Sequence, residues 1–223
     1  MTTKLFVAGL ALALSGVANA ATLLSEGFND ISTLATAGWV QTNNSSPAGG
    51  TAWFQGNSGI FPAASGAANA YIGANFLSAN GNGDISNWLI TPSLSLANGD
   101  TLSFLVRAAG GGYLDTVEAR LSTNGASSSV GATTTSLGDF TTLLGSFSAT
   151  TDGGWVAKTF TITGLGAPTT GRLAFRYVVT DTSLNGNYVG IDSVVVTQVP
   201  EPGTAVLLAL GVVGLCLARR RRA

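Results

Sequence analysis

Between Ala21 and Gln198 the apolar residues of this chain return at every second position rather than every third or fourth. That spacing suits a half-buried strand and spoils a helix. The stretch "TLSFLVRAA" puts Leu102, Phe104 and Val106 on one face, with polar or small residues between them. "AKTFTITGL" does the same with Phe160 and Ile162, and "RLAFRYVVTDT" with Leu173, Phe175 and Tyr177. "VGIDSVVVTQV" is richer in valine, as a central strand would be. The pieces between them, "SANGNGD", "AAGGGYLD", "ATTDGG" and "SLNGN", carry Gly, Asn and Asp, which tolerate positive φ or cap their own backbone. The best helical candidate, "TTTSLGDFTTLLGS", is Thr-rich and interrupted by Gly138 and Gly145. About ten or eleven short strands at roughly 8–12-residue spacing predict an all-β fold, an antiparallel β-sandwich or barrel, with a single sandwich the expectation. The 30 glycines would also suit a repeat solenoid, but no fixed period runs through them.

The two ends follow different rules. "MTTKLFVAGLALALSGVANA" has one positive charge at Lys4, an apolar run from Leu5 to Leu14 and a small-residue end at Ala18-Asn19-Ala20. These are the parts of a secretory signal, so residues 1–20 are expected to form a signal helix that is cleaved on export; a buried first helix is the alternative. At the other end stand Pro200-Glu201-Pro202, an uninterrupted apolar run from Thr204 to Ala218, and Arg219, Arg220, Arg221 and Arg222. A helix over 204–218 would rise about 23 Å, short of the roughly 30 Å hydrocarbon core. Such a transmembrane helix can stop transfer, and the four arginines would hold its end on the cytoplasmic side. The expected organisation is a signal at 1–20, a sandwich at 21–198 and a tail at 199–223.

Composition narrows the chemistry of the middle. Residues 21–198 carry ten acidic residues against five basic ones, a net charge of −5, with no basic run. That leaves no electrostatic footprint for nucleic acid. The only cysteine, Cys216, lies in the tail, so no intrachain disulfide forms. The chain has no histidine, which excludes Ser-His-Asp and Cys-His devices and His-based zinc chemistry. Paired carboxylates could still serve a glycoside hydrolase, the alternative reading, and Asp115 with Glu118 is the nearest pair. Three residues apart on a strand, they are expected on opposite faces and to be poor partners. Asn43 and Asn44 head two Asn-x-Ser sequons, read as unmodified loop.

The tail resembles a PEP-CTERM sorting signal in its three parts. That resemblance implies recognition by a membrane-embedded cysteine peptidase, an exosortase, which cleaves near Pro200-Glu201-Pro202. An inner-membrane precursor would then be delivered to the cell envelope, the surface or the extracellular matrix. A plain C-terminal membrane anchor is the alternative. The domain resembles the choice-of-anchor J family, a MAM-like jelly-roll module, through "SEGFND" at 25–30, "GW" at 38–39, "NWLITPSLSL" at 87–96, "DTLSFLVR" at 100–107, "DTVEARLSTNG" at 115–125, "DFTTLLGSF" at 139–147, "GRLAFRYVVTD" at 171–181 and "YVGIDSVVV" at 188–196. The resemblance implies a non-catalytic surface or matrix module with exopolysaccharide or the envelope as partner. It also implies a structural calcium where the first and last strands meet, through Glu26 and Asp192 with Asp30 as a third acid, calcium being a cation that takes oxygen ligands. The other reading of these acids is that Asp192 satisfies backbone amides and Glu26 is solvated. Of Trp39, Trp53, Trp88 and Trp155, Trp88 is expected in the core, and Trp53, in the Gly-rich region, is expected to be the most exposed.

Overall fold

The alternating segments pair edge to edge into two antiparallel sheets that bury their apolar sides against each other. The computed structural model describes residues 20–199 and, outside them, Gly211 alone, so the expected signal and tail lie outside the described residues. Thirteen strands run β1 (Ala21–Glu26), β2 (Val40–Asn43), β3 (Ser46–Ala48), β4 (Phe54–Gln55), β5 (Ile72–Asn75), β6 (Ala79–Ile90), β7 (Leu94–Leu96), β8 (Thr101–Ala108), β9 (Asp115–Ser122), β10 (Thr142–Ala149), β11 (Val156–Thr161), β12 (Thr169–Val179) and β13 (Tyr188–Gln198). They form one compact unit over Ala21–Val199. One sheet follows the order β11-β8-β13-β5-β4, with β1 also on β13; the other follows β10-β9-β12-β6-β2, with β3 on β6 and β7 on β12. The expected all-β antiparallel sandwich is what forms. The strand number exceeds ten or eleven because β3, β4 and β7 span only three, two and three residues, too few to show a period.

Every second residue of the predicted strands enters one core. Leu102, Phe104 and Val106 of β8 meet Leu173, Phe175 and Tyr177 of β12 there, with Val117, Ala119 and Leu121 of β9 and Ile191, Val194 and Val196 of β13. Phe104 and Phe175 join the two sheets edge to face, ring centroids 4.8 Å apart. Strand β13 keeps this phase only by a bulge: its register with β8 shifts between Asp192 and Val195, and Ser193 sits at φ 53°. The bulge absorbs one residue, so Ile191 and Val194 both face inward while Asp192 faces out.

The outer faces of the sheets are roofed by irregular chain. On the outer side of β5 and β13, the segment between β4 and β5 lays Phe61 against Tyr71 (5.1 Å, stacked), Trp155 (5.4 Å) and Tyr188 (5.3 Å). Gly190 makes room for this cluster. A Cβ there would stand 2.9 Å from both the Phe61 and Tyr71 rings and 3.0 Å from Trp155. On the other sheet the segment between β9 and β10 seats Val130 and Phe140 over Trp88, Ile90 and Ala174.

A carboxylate lies at the end of the core. Asp115 is fully buried, its Oδ1 accepting from the Tyr177 hydroxyl at 2.6 Å and the Asn187 amide at 2.8 Å, while its Oδ2 has no partner. Burial pushes the Asp115 carboxyl above its ordinary range, and those hydrogen bonds only partly oppose it. The folded chain therefore holds this proton more tightly than the unfolded one. The stability it contributes is full below the ordinary carboxylate pKa and is lost as pH rises through the raised value.

Two outcomes follow from this packing. Asp115→Asn keeps an acceptor for Tyr177 and removes the buried charge, so its thermal midpoint is expected above the parent's by about 2–4 °C at pH 7–8, the gain vanishing near pH 4. Gly190→Val drives two methyls into the aromatic roof and is expected to cost roughly 1–3 kcal/mol in denaturant unfolding.

Candidate binding surface

The expected meeting of the first and last strands is present: β1 pairs antiparallel with β13, Glu26 opposite Val194. The acids expected there are each engaged by the chain. Glu26 Oε1 accepts from the Phe28 amide at 2.6 Å and holds a turn in which Phe28 takes φ 51°. Asp30 caps a 3₁₀ turn, accepting from Ser32 N at 3.0 Å and Ser32 Oγ at 2.7 Å, and those hydrogen bonds hold its carboxyl below the usual range. Asp192 is fully buried, with Oδ2 accepting from the amides of Ala64 at 2.9 Å and Ser65 at 3.1 Å. Among the described residues, no group of three or more acidic, cysteine or histidine side chains gathers to hold a metal ion. Beside Glu26, however, three backbone oxygens converge on one nitrogen. The carbonyls of Phe28, Asn69 and Tyr71 lie 2.8, 2.6 and 3.3 Å from Gln55 Nε2, which has two hydrogens to share among them.

The tryptophans correct one expectation. Trp53 is only 4% exposed, with its indole N–H unpartnered, because it joins the main core of the sandwich. Trp155 is the half-buried one, its Nε1 donating to Pro62 O at 2.9 Å. Trp88 is buried as expected, though on the outer face of its sheet and under the β9–β10 segment. Its ring lies beneath the Arg176 guanidinium at 5.2 Å. The sequons are also engaged: the Asn43 side-chain amide donates to Thr51 O and Ser78 O, and that of Asn44 to Gly131 O.

Asp115 and Glu118 lie on opposite faces of β9, as their spacing requires. Asp115 faces the core. Glu118 Oε2 sits between Arg120 Nε at 2.7 Å and Arg176 Nη1 at 3.2 Å on the outer face. Burial is the largest effect on the Glu118 carboxyl and pushes it up; Arg120 and Arg176 together more than offset it, leaving it below its ordinary range. Neither carboxylate is poised to exchange a proton with a substrate across a shared cleft. Arg176 also donates to Ser86 Oγ at 3.0 Å and to Thr134 O, and Arg120 to Phe140 O at 3.3 Å. Arg172 donates to the carbonyls of Gly38, Thr91 and Ala126. Arg107 grips Asp152 with two hydrogen bonds, 2.9 and 2.7 Å, over the Phe61 ring at 4.5 Å.

Sequence reasoning did not find the exposed apolar side chains. Phe76, Leu77, Tyr113, Leu114 and Leu184 are 42–68% exposed and stand on the β5–β6, β8–β9 and β12–β13 connections. The one signal available was the run Gly110-Gly111-Gly112 before Tyr113, whose φ values are 74°, 86° and 88°. A Cβ on Gly110 would stand 2.4 Å from Asp152 N, so the backbones there approach as only glycine allows.

Among the described residues no helix is long and apolar enough to cross a membrane; the expected span at 204–218 lies outside them but for Gly211. Pro200, Glu201, Pro202 and Arg219 to Arg222 lie outside them too. No curated protein sequence matches the chain. Three solved structures from the cleaved adhesin region of Lys-gingipain share the fold. The K1 domain from Porphyromonas gingivalis W83 is 26% identical, with a TM-score of 0.57 over 79% of this chain and 98% of its own. The K3 domain of the same organism is 23% identical, with a TM-score of 0.54 over 80% and 99%. The K2 domain is 18% identical, with a TM-score of 0.55 over 78% and 99%. Residues 198–222 match the PEP-CTERM protein-sorting motif. The chain thus carries the sorting motif of an exported protein behind a sandwich similar to those adhesin domains.

Proposed function

We propose that this chain is a non-catalytic surface or extracellular-matrix protein, processed by an exosortase-type peptidase and interacting with exopolysaccharide or the cell envelope. The observation that carries the reading is the sorting motif at 198–222, placed directly after a sandwich similar in shape to adhesin domains. In this reading the apolar run 204–218 holds the precursor in the inner membrane, Arg219 to Arg222 fix its cytoplasmic end, and cleavage near Pro200-Glu201-Pro202 frees the domain. The engaged state of the domain's charges supports a binding role over a catalytic one. Each of the ten acidic residues of 21–198 accepts at least one hydrogen bond from the chain itself.

A calcium ion bound through Glu26 and Asp192, with Asp30 as a third acid, belongs to the same proposal. Its support is the pairing of β1 with β13 and the carbonyl oxygens crowded around Gln55, oxygen donors of the kind calcium takes. An ion bound only by the folded chain would raise its stability by mass action.

Intact-mass measurement of the protein recovered from its host tests the processing. The expected species begins at or within about two residues of Ala21 and lacks Arg219 to Arg222; full-length chain at the cell surface would overturn the sorting reading. Replacing the four arginines by alanine is expected to reduce inner-membrane retention in cell fractionation. For calcium, the exported protein is melted with calcium and with chelator. The midpoint is expected to rise with calcium in the parent and to respond less in Glu26→Gln and Asp192→Asn, and an unmoved parent midpoint rules the ion out.

A further inference from the structure

The exposed side chains Phe76, Leu77, Tyr113, Leu114 and Leu184 belong to one end of the sandwich, because their three connections are tied together by hydrogen bonds. The Phe76 amide donates to Asn187 O at 3.1 Å, the Gly186 amide to Leu114 O at 3.0 Å, and the Asn187 side-chain amide to Gly110 O at 2.8 Å. The Gly112 amide donates to Thr150 O at 2.9 Å, which fixes the glycine run that ends in Tyr113. Five large apolar side chains this exposed on loops that are otherwise so well satisfied have no role in the fold.

The carboxylates at this end each accept hydrogen bonds from the chain. Asp84 accepts from the Asp181 amide, Asp181 from Ser183, Asp152 from Arg107 and Gly154, and Asp115 is buried. The exposed polar side chains here include Asn80 and Asn82 at the start of β6, Ser183, Thr151 and Asp152, of which Asp152 alone is charged and is gripped by Arg107. An apolar and aromatic surface among neutral amide and hydroxyl groups matches a sugar ring, which offers a C–H face to an aromatic ring and hydroxyls at its rim. Among these charges Arg107 is the one cation and Asp152 holds it, so an anionic polymer would meet repulsion from the remaining carboxylates.

The end also lies where a surface ligand can reach it. Strand β13 starts here at Tyr188 and runs 11 residues to Gln198, about 36 Å at 3.3 Å per residue, before the chain enters the sorting motif. The loops are therefore remote from the point at which the chain leaves the sandwich.

We propose that the loop end carrying Phe76, Tyr113 and Leu184 is a binding surface for neutral polysaccharide. The inference rests on the exopolysaccharide reading above and assigns it a place.

The test is frontal affinity chromatography of the exported protein on immobilised dextran and galactan, with alginate as the charged comparison. The parent is expected to be retarded on at least one neutral matrix. Tyr113→Ala combined with Phe76→Ala is expected to weaken that retention on the order of tenfold with an unchanged thermal midpoint. Leu143→Ala, which removes an equally exposed side chain from β10, should bind as the parent does. Parent and double variant retained alike would overturn the assignment and leave the polysaccharide reading standing. Retention on alginate alone would overturn the neutral ligand. A parent retained by no matrix and by no envelope fraction would overturn both. A dimer in sedimentation that the double variant loses, without glycan retention in either, would give the surface to a second copy of the chain and overturn the proposal.

Discussion

Irregular chain can cover a β-sheet only if its backbone amides and carbonyls find partners there, since water is excluded beneath it. In this molecule both sheets are covered in that way, and charged side chains on their outer faces supply the partners. Asp192, turned outward by the β13 bulge, accepts from the amides of Ala64 and Ser65 and holds the aromatic roof of its sheet. On the other sheet the signs are reversed: Arg120, Arg172 and Arg176 donate to the carbonyls of Phe140, Ala126 and Thr134. Glu118 bridges two of these arginines and offsets one of their two charges. Charge-assisted hydrogen bonds of this kind are about twice as strong as neutral ones, so a few of them hold a long segment without regular structure.

This use of charge sets Asp115 and Glu118 apart from each other. A raised carboxyl pKa inside a protein is often a mark of function. At Asp115 the cause is burial among Tyr177 and the core, and the bound oxygen faces Tyr177 and the Asn187 amide rather than a cleft. Glu118 is lowered by the two arginines it bridges, which fixes it as an anion. The two groups differ in the direction expected of an acid and a base, yet β9 puts them on opposite sides of a sheet. Three of the five bases of residues 21–198 are tied to loop carbonyls and a fourth, Arg107, to Asp152. The domain's bases are thus largely spent within the fold, and its net negative charge is carried by carboxylates that accept from the chain's own amides and hydroxyls.

Strands β8 and β12 were legible in the sequence because alternation is a local signal, and β13 because of its run of valines. So was the separation of Asp115 from Glu118. Strands β3, β4 and β7 were not, since pieces of two or three residues carry no period and are defined only by the neighbours they pair with. Trp53 was read as exposed because its surroundings are Gly, Ala and Ser. Its burial comes from joining the main core of the sandwich, a tertiary effect that local composition does not encode. The outward turn of Asp192 was hidden for a similar reason. The bulge at Ser193 reverses the phase of the strand halfway, and "IDSVV" gives no sign of where the extra residue goes.

Strand β13 also sets how load passes through the domain. One edge is paired with β8 along nearly its whole length, and the other is shared between β5, opposite residues 188–191, and β1, opposite residues 194–198. Tension between the loop end and the point where the chain leaves at Gln198 would run along this strand. It would load the hydrogen bonds on both edges in shear, so that many must fail together instead of opening one by one from an end. An edge strand in the same position would peel. A central last strand is thus the arrangement that best resists pulling from the C-terminal side, and it follows from the valine-rich, doubly buried character of the segment that the sequence places immediately before the sorting motif.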